Sequence, residues 1–279
     1  MNDAQLNSAN PPISSLLRGI TWLEVLVLIV TGGGLFFLPD LAREQWPWAI
    51  APFNGRFVGT VYLGSFVSAM LMAFHGRWSP GRIVLPMIFI FTTIVLGVSF
   101  LHLDQFDLQR WQPWIWFLLY IVLPINSAYH LWLYRDRQSA DSFSTPSHWR
   151  GSFLILSVLF GVYGLALLFF PTASSAFWPW PIDGFHGQMY SVVFITPAIG
   201  LFLIASRASS LEWKTLGLTQ LVIGACAIIG LLLVDAVVPP EKKVNWALAG
   251  TWLWLLIMAV YGGVGVSMLF RAGRNQEAG

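Results

Sequence analysis

Phe37-Leu38-Pro39, Trp46-Pro47-Trp48-Ala49-Ile50 and Phe53-Asn54-Gly55 return 132 residues later as Phe169-Phe170-Pro171, Trp178-Pro179-Trp180-Pro181-Ile182 and Phe185-His186-Gly187. From Val30 to Phe57, 11 of 28 positions are identical at that offset without a gap, where unrelated segments of ordinary composition share about two. The register extends outward: Arg18-Gly19 meets Arg150-Gly151, Trp114 meets Trp246, and Tyr129 meets Tyr261. The pattern reads as one unit duplicated and fused in tandem.

Around this repeat the composition is 56% apolar and only 10% charged, whereas a soluble chain carries roughly a quarter charged residues to cover its surface. The charges fall in short clusters between long apolar runs, the pattern of a polytopic membrane protein. Cys226 is the lone cysteine, so neither an internal disulfide nor a cysteine ligand cluster is expected. Residues 1–17 are polar, contain Pro11-Pro12 and lack a basic start, so the first apolar run reads as an uncleaved helix.

Eight apolar runs near 18–38, 57–75, 82–101, 113–134, 150–170, 187–206, 213–234 and 246–270 are each long enough to cross about 30 Å of hydrocarbon. The expected fold is all-α, with eight transmembrane helices as two tandem four-helix repeats. A cytoplasmic tail (1–17) precedes the first repeat (18–134), a connector (135–149) leads to the second (150–270), and a short tail (271–279) follows. Four is an even number, so both repeats enter with the same orientation, related by an axis along the bilayer normal. Ten of the fifteen Lys and Arg (Arg18, Arg77, Arg82, Arg135, Arg137, Arg150, Arg207, Lys214, Arg271, Arg274) fall on the side of the termini. Arg43, Arg56, Arg110, Lys242 and Lys243 fall on the other. The bias places both termini in the cytoplasm, by expectation of a bacterial inner membrane, and both Trp-Pro-Trp loops outside. Most tryptophans then lie at helix ends, at the two headgroup levels that suit an amphipathic indole.

Pro39 and Pro171 end the first helix of each repeat, because proline cannot continue the hydrogen-bond ladder. Proline between two indoles presents both rings rigidly, so Trp46, Trp48, Trp178 and Trp180 read as interfacial anchors or as paired lids over each bundle. Arg56 starts the next helix, suited to a ligand anion or to lipid phosphate. Glu24 lies within the first span, where a carboxylate is costly and marks a functional or internally paired position; its counterpart is Leu156. In the fourth span, Asn126 and His130 share one face, with Tyr129 alongside and Pro124 interrupting the ladder. Of these polar residues only the tyrosine survives in the second repeat, which carries Met258, Ala259, Tyr261 and Gly262 here and suits a structural half.

The layout of two four-helix units in one chain resembles haem A synthase and the quinone-linked membrane subunits of bacterial oxidoreductases. That likeness is confined to the layout: His75 and His130, the one pair suited to a bis-histidine haem, map to Arg207 and Gly262 in the second unit. The sequence contains no nucleophile elbow, phosphate-binding glycine loop or zinc-ligand spacing, and no basic aromatic surface for nucleic acid. Neither a cofactor nor a metal is therefore expected, and the pattern points away from an enzyme. The leading expectation is a protein that binds or transports a small solute or ion through the polar interior of the first repeat. Its alternatives are a non-catalytic subunit of a larger membrane complex and a haem- or quinone-linked redox subunit. The lipid bilayer, and with it other membrane subunits, are the expected partners.

Overall fold

The structure, a computed structural model, describes residues 10–137 and 142–277, the side chains of 274–277 excepted. Parts of the two expected tails and of the connector therefore lie outside the described residues. Among the described residues, eight helices are long and apolar enough to cross a membrane: α1 (Ser15–Phe37), α2 (Pro52–His75), α3 (Trp78–Leu101), α4 (Gln112–Leu133), α5 (Ser147–Phe169), α6 (Gly184–Ser206), α7 (Ser210–Val237) and α8 (Ala249–Gly273). The first seven begin one to five residues before the apolar runs do, at cap residues that hydropathy does not register. Ser14, Asp183 and Ser209 each accept a backbone N–H of the first turn through the side chain, satisfying a donor that the helix leaves free. Pro39 and Pro171 open the short helices Pro39–Glu44 and Pro171–Ser174 ahead of each Trp-Pro-Trp.

Short extended segments precede α1 and α5, a feature the hydropathy pattern does not carry. Pro12 bridges to Arg77 in the α2–α3 turn, and strand β1 (Phe143–Ser144) pairs antiparallel with β2 (Arg207–Ala208) between α6 and α7. Each first helix is thus tied to the turn between the second and third helices of its own half.

Burial separates the helices into two groups. Within the apolar window, 44–67% of residues are buried in α2, α3, α6 and α7, against 22–33% in α1, α4, α5 and α8. The four central helices cross between halves, α2 packing along α7 and α3 along α6, while α2 meets α3 and α6 meets α7 only sparsely. The outer helices each lean on one central helix: α1 on α2, α4 on α3, α5 on α6 and α8 on α7. They present Leu26, Val30, Ile125, Val158, Val162 and Leu256 outward, all well exposed. At the end where α3 and α7 begin, Arg82 grips Glu212 through Nε and Nη2 at 2.7 and 2.8 Å, and Ser79 Oγ bonds Ser209 Oγ at 2.6 Å. The Glu212 side chain is fully buried and also accepts from Ser209 N, so the pair is held by more than charge.

The outer pairs of the two halves pack differently, and the residues say why. α7 and α8 form the most extensive helix contact in the molecule. A Cβ on Gly224 would stand 2.5 Å from Gly262 N, and one on Gly265 would stand 2.5 Å from Gly217 O, so only glycine permits this approach. In α3 the positions 132 residues earlier hold Leu85 and Thr92, and the α3–α4 contact is sparser. The fourth helices do not keep the offset of 132 that the sequence reading extends to them. Trp114 donates its indole N–H to the carbonyl of Leu108, six residues back, and Trp252 does the same to Trp246; 252 − 114 is 138. The shift arises because α7 runs 28 residues where α3 runs 24, with a further lengthening of the loop that follows. At this offset His130 corresponds to Met268 and Asn126 to Val264, in place of Gly262 and Met258.

Gly224→Ala should lower the melting temperature of the purified protein, at a cost of about 1–3 kcal/mol from overpacking against backbone that cannot yield. The same change at Gly263, which has nothing within 4 Å of an added Cβ, should leave the melting temperature unchanged.

Candidate functional site

The Trp-Pro-Trp rings face inward. Trp46, Trp48, Trp178 and Trp180 are 5–6% exposed, so they are core residues, while Trp111, Trp114 and Trp132 are the rings displayed at helix ends. Trp46 and Trp48 meet edge to face at 5.2 Å and both abut Trp116; Trp178 and Trp180 meet at 5.2 Å and both abut Trp254. The second tryptophan of each loop reaches across to the other half. Trp48 Nε1 donates to His186 Nε2 at 3.2 Å, and Trp180 Nε1 donates to Asn54 Oδ1 at 2.7 Å. Phe185 lies edge-on to Trp48 at 5.1 Å, and Phe53 stacks on Trp180 at 5.6 Å. Asn54 and His186 are 132 apart, as are Trp48 and Trp180, so the polar residue of each Phe-x-Gly serves the opposite loop.

His186 is oriented by Asp183, whose carboxylate accepts from Nδ1 at 2.8 Å and from the His186 backbone N–H at 2.8 Å. This fixes Nε2 as the acceptor for Trp48. Partial burial pushes the Asp183 carboxyl up, but the two His186 hydrogen bonds and the nearby His186 and His102 imidazoles outweigh it and hold it below its ordinary value.

Beneath the first loop lies a cavity of about 530 Å³. Its walls come from α1, α2, α3, α4, α6 and α7, with Gln45, Trp46 and Pro47 of the first loop and Tyr261 of α8, and are overwhelmingly apolar. Some of its polar groups bond within the protein, Tyr62 to Tyr120, Ser68 to Thr219 and Trp116 to Ser99 among them, and others are unsatisfied. Gln220 is fully buried with neither amide atom bonded; Trp46 Nε1, Gln112 Oε1 and Thr196 Oγ1 are also buried without partners. Glu24, 7% exposed, makes no hydrogen bond or ion pair among the described residues. Buried polar atoms are nearly always paired, so these lining groups are ones with bonding capacity to spare. Arg18 bonds the Ala73 carbonyl and Ser68 bonds Thr219, which aligns the ends of α1, α2 and α7 at one level. From those ends Glu24 and Gln220 lie nine and ten residues in (24 − 15; 220 − 210), and Ser65 and Thr196 ten each (75 − 65; 206 − 196). At a rise of ~1.5 Å per residue the four polar groups occupy one belt, ~13–15 Å deep. Leu23, Leu26 and Val30 of α1, Ile115 of α4 and Trp111 just before α4 line the cavity and are 46–64% exposed, so it reaches the molecular surface between these two helices.

The second half fills the equivalent volume. Phe160 stacks on Tyr261 at 5.3 Å and packs against Phe194, and Tyr261 donates to the Val193 carbonyl at 3.1 Å. Pro197 is four residues beyond Val193 and has no N–H to give it.

Of the residues singled out from sequence, Glu24 and Trp46 line the cavity together. Asn126, Tyr129 and His130 do not. His130 is fully buried; Nδ1 donates to the Asn126 carbonyl at 2.9 Å and Nε2 accepts from Ser14 Oγ at 2.8 Å, whose oxygen caps α1. Both ring nitrogens are committed, so an axial iron bond would cost one of these contacts, and His75 points to the exposed end of α2. Tyr129 is exposed and packs edge-on against His130. Arg56 lies over the Phe36 ring at 5.8 Å. Trp48, Trp178 and Trp180 belong to the cross-half aromatic packing. The sequence reading passed over Gln220 and Gln112; an amide eleven residues into the apolar run of α7 was the available signal. Among the described residues no group of three or more His, Cys, Asp or Glu is placed to hold a metal ion. No protein-family model matches this chain, and neither does any curated protein or solved structure.

A depressed carboxyl contributes stability that is complete above its ordinary value and is lost as pH falls through the lower folded value. Asp183→Asn should therefore lower the melting temperature at neutral pH and flatten its decline below pH 3.8, the ordinary value for this carboxyl. Melting curves across that range check both effects.

Proposed function

We propose that this chain is an integral membrane protein of two tandem, like-oriented four-helix units, whose first unit binds a small, largely apolar molecule within the depth of the bilayer. The observation that carries the binding reading is the cavity: about 530 Å³ of apolar space with unpartnered polar groups at Glu24, Gln220, Trp46 and Gln112. A pocket with mostly apolar walls and a few placed polar atoms is the ordinary form of a small-molecule site. A hydrophilic solute or a bare ion would surrender its water to walls with too little to replace it, so apolar character in the ligand fits better.

The membrane reading rests on the eight apolar helices and on outer helices that turn large aliphatic side chains outward, a surface that water disfavours and lipid accepts. The like-oriented repeat is supported by reciprocal contacts: Trp48 to His186 and Trp180 to Asn54, and α2 on α7 with α3 on α6. Contacts of the form i to j and j to i are those of a two-fold axis. The ten-to-five excess of Lys and Arg supports a cytoplasmic position for both termini. The second unit, closed by glycines in α7 and α8 and filled by Tyr261, serves as the rigid half.

In a Cys226→Ser background, Ala49→Cys and Pro181→Cys, both exposed, should react with an impermeant thiol reagent from outside intact cells, and Asp136→Cys should not. Opposite labelling of 49 and 181 would overturn the like-oriented repeat. For the cavity, tritiated dodecanol should bind saturably to the protein in phosphatidylcholine nanodiscs above the level of empty discs. Ser65→Phe, which places a ring in the cavity, should weaken that binding by roughly tenfold or more. Equal binding in wild type and Ser65→Phe would sink the reading.

A further inference from the structure

Among the described residues, Glu24 is the one charged side chain lining the cavity. No basic group answers it: the nearest cation on its own helix, Arg18, is committed to the Ala73 and Phe74 carbonyls. The other ion pairs, Arg82–Glu212 among them, lie elsewhere. A carboxylate held in such surroundings is costly unless a counter-charge or a proton joins it. At the same depth stands Gln220, whose Oε1 is a second buried acceptor without a donor, with Ser65 and Thr196 in the same belt. Above the belt the wall carries the rings of Tyr62, Tyr120, Trp46 and Trp116, whose faces attract a cation and repel an anion. The remaining walls are aliphatic, and the opening between α1 and α4 faces the surface that the membrane reading assigns to lipid.

Resting on that reading of the cavity, we infer that its ligand is a membrane-soluble amine: an apolar chain or ring body bearing a protonated nitrogen that pairs with the Glu24 carboxylate and donates to Gln220 Oε1. The amine partitions into the bilayer, passes between α1 and α4, and leaves its body against the aliphatic and aromatic wall. Each competing head group lacks something. A fatty acid brings a second carboxylate to Glu24. An alcohol can hydrogen-bond but supplies no counter-charge. A small hydrated cation has no apolar body to fill the space. The second half, with Leu156 in place of Glu24 and Tyr261 filling the volume, has no equivalent site, so one amine binds per chain.

The test compares three probes with one chain length, dodecylamine, dodecanol and dodecanoate, on the full chain in phosphatidylcholine nanodiscs with empty discs subtracted. Dodecylamine should bind roughly tenfold or more tighter than dodecanol, at one per chain, and dodecanoate weakest of the three. Glu24→Gln should remove the preference for the amine, so that dodecylamine binds this variant no more tightly than dodecanol binds the same variant. Glu24→Leu, which installs the residue found at position 156, should do the same, and monodisperse elution of both variants confirms that they fold. If dodecanol binds and dodecylamine gains nothing over it, or if Glu24→Gln keeps the preference, the amine assignment is overturned while the cavity reading stands. If no probe binds above empty discs, both fall together.

Discussion

An indole N–H taken out of water needs an acceptor, and much of this structure is arranged around supplying one. The two Trp-Pro-Trp loops bury four indoles near one end of the helices. Trp178 finds the Tyr163 hydroxyl, Trp180 finds Asn54 and Trp48 finds His186. Two of those acceptors lie on the opposite half, so neither loop can satisfy its rings without the other. A buried donor left unpaired costs about 1–3 kcal/mol, which ties the halves together through polar bonds as well as through ring packing. On the membrane reading, where burying apolar surface gives little driving force for helix association, such bonds and close small-residue contacts supply what apolar burial does not.

Against that shared frame the halves diverge through a handful of side chains. Gly217, Gly224, Gly262 and Gly265 let α7 and α8 touch along their backbones. Leu85, Thr92, Pro124 and Ser127 at the matching places of α3 and α4 hold the first half more open. Trp46 is the one loop indole without an acceptor, and it borders the resulting cavity. The same asymmetry that removes a packing contact thus leaves a donor facing empty space, together with Gln112 and Gln220. Close packing and an open interior come here from one backbone plan with different side-chain volumes.

Helix number and loop positions were largely legible, since apolar length and the repeated loop report on them directly, whereas the division into central and outer helices came only with the packing. The inward turn of the indoles was not. A tryptophan near a helix end suits the headgroup layer equally well on composition, and only the acceptors 126 and 138 residues away decide otherwise. His130 misled for a similar reason: its partner Ser14 is 116 residues distant, so a capping contact looked like a free polar face. Glu24 stood out because a carboxylate in an apolar run is conspicuous. Gln220 did not, because it carries no formal charge to set it apart from the other polar residues of a 28-residue helix. The change of offset in the fourth helix escaped because Tyr129 and Tyr261 coincide at 132 by chance while Trp114 and Trp252 correspond in space.

The reciprocal bonds between the loops carry a historical consequence. If one unit gave rise to two, the Trp48–His186 and Trp180–Asn54 contacts descend from a single contact made twice across a symmetrical pair of identical chains. While the chains were identical, any substitution that opened an interior in one copy opened it in both, and doubled the packing lost. On that history, joining the two copies in one chain would end the constraint, leaving one half free to close around glycine and tyrosine and the other to give up packing for a hollow.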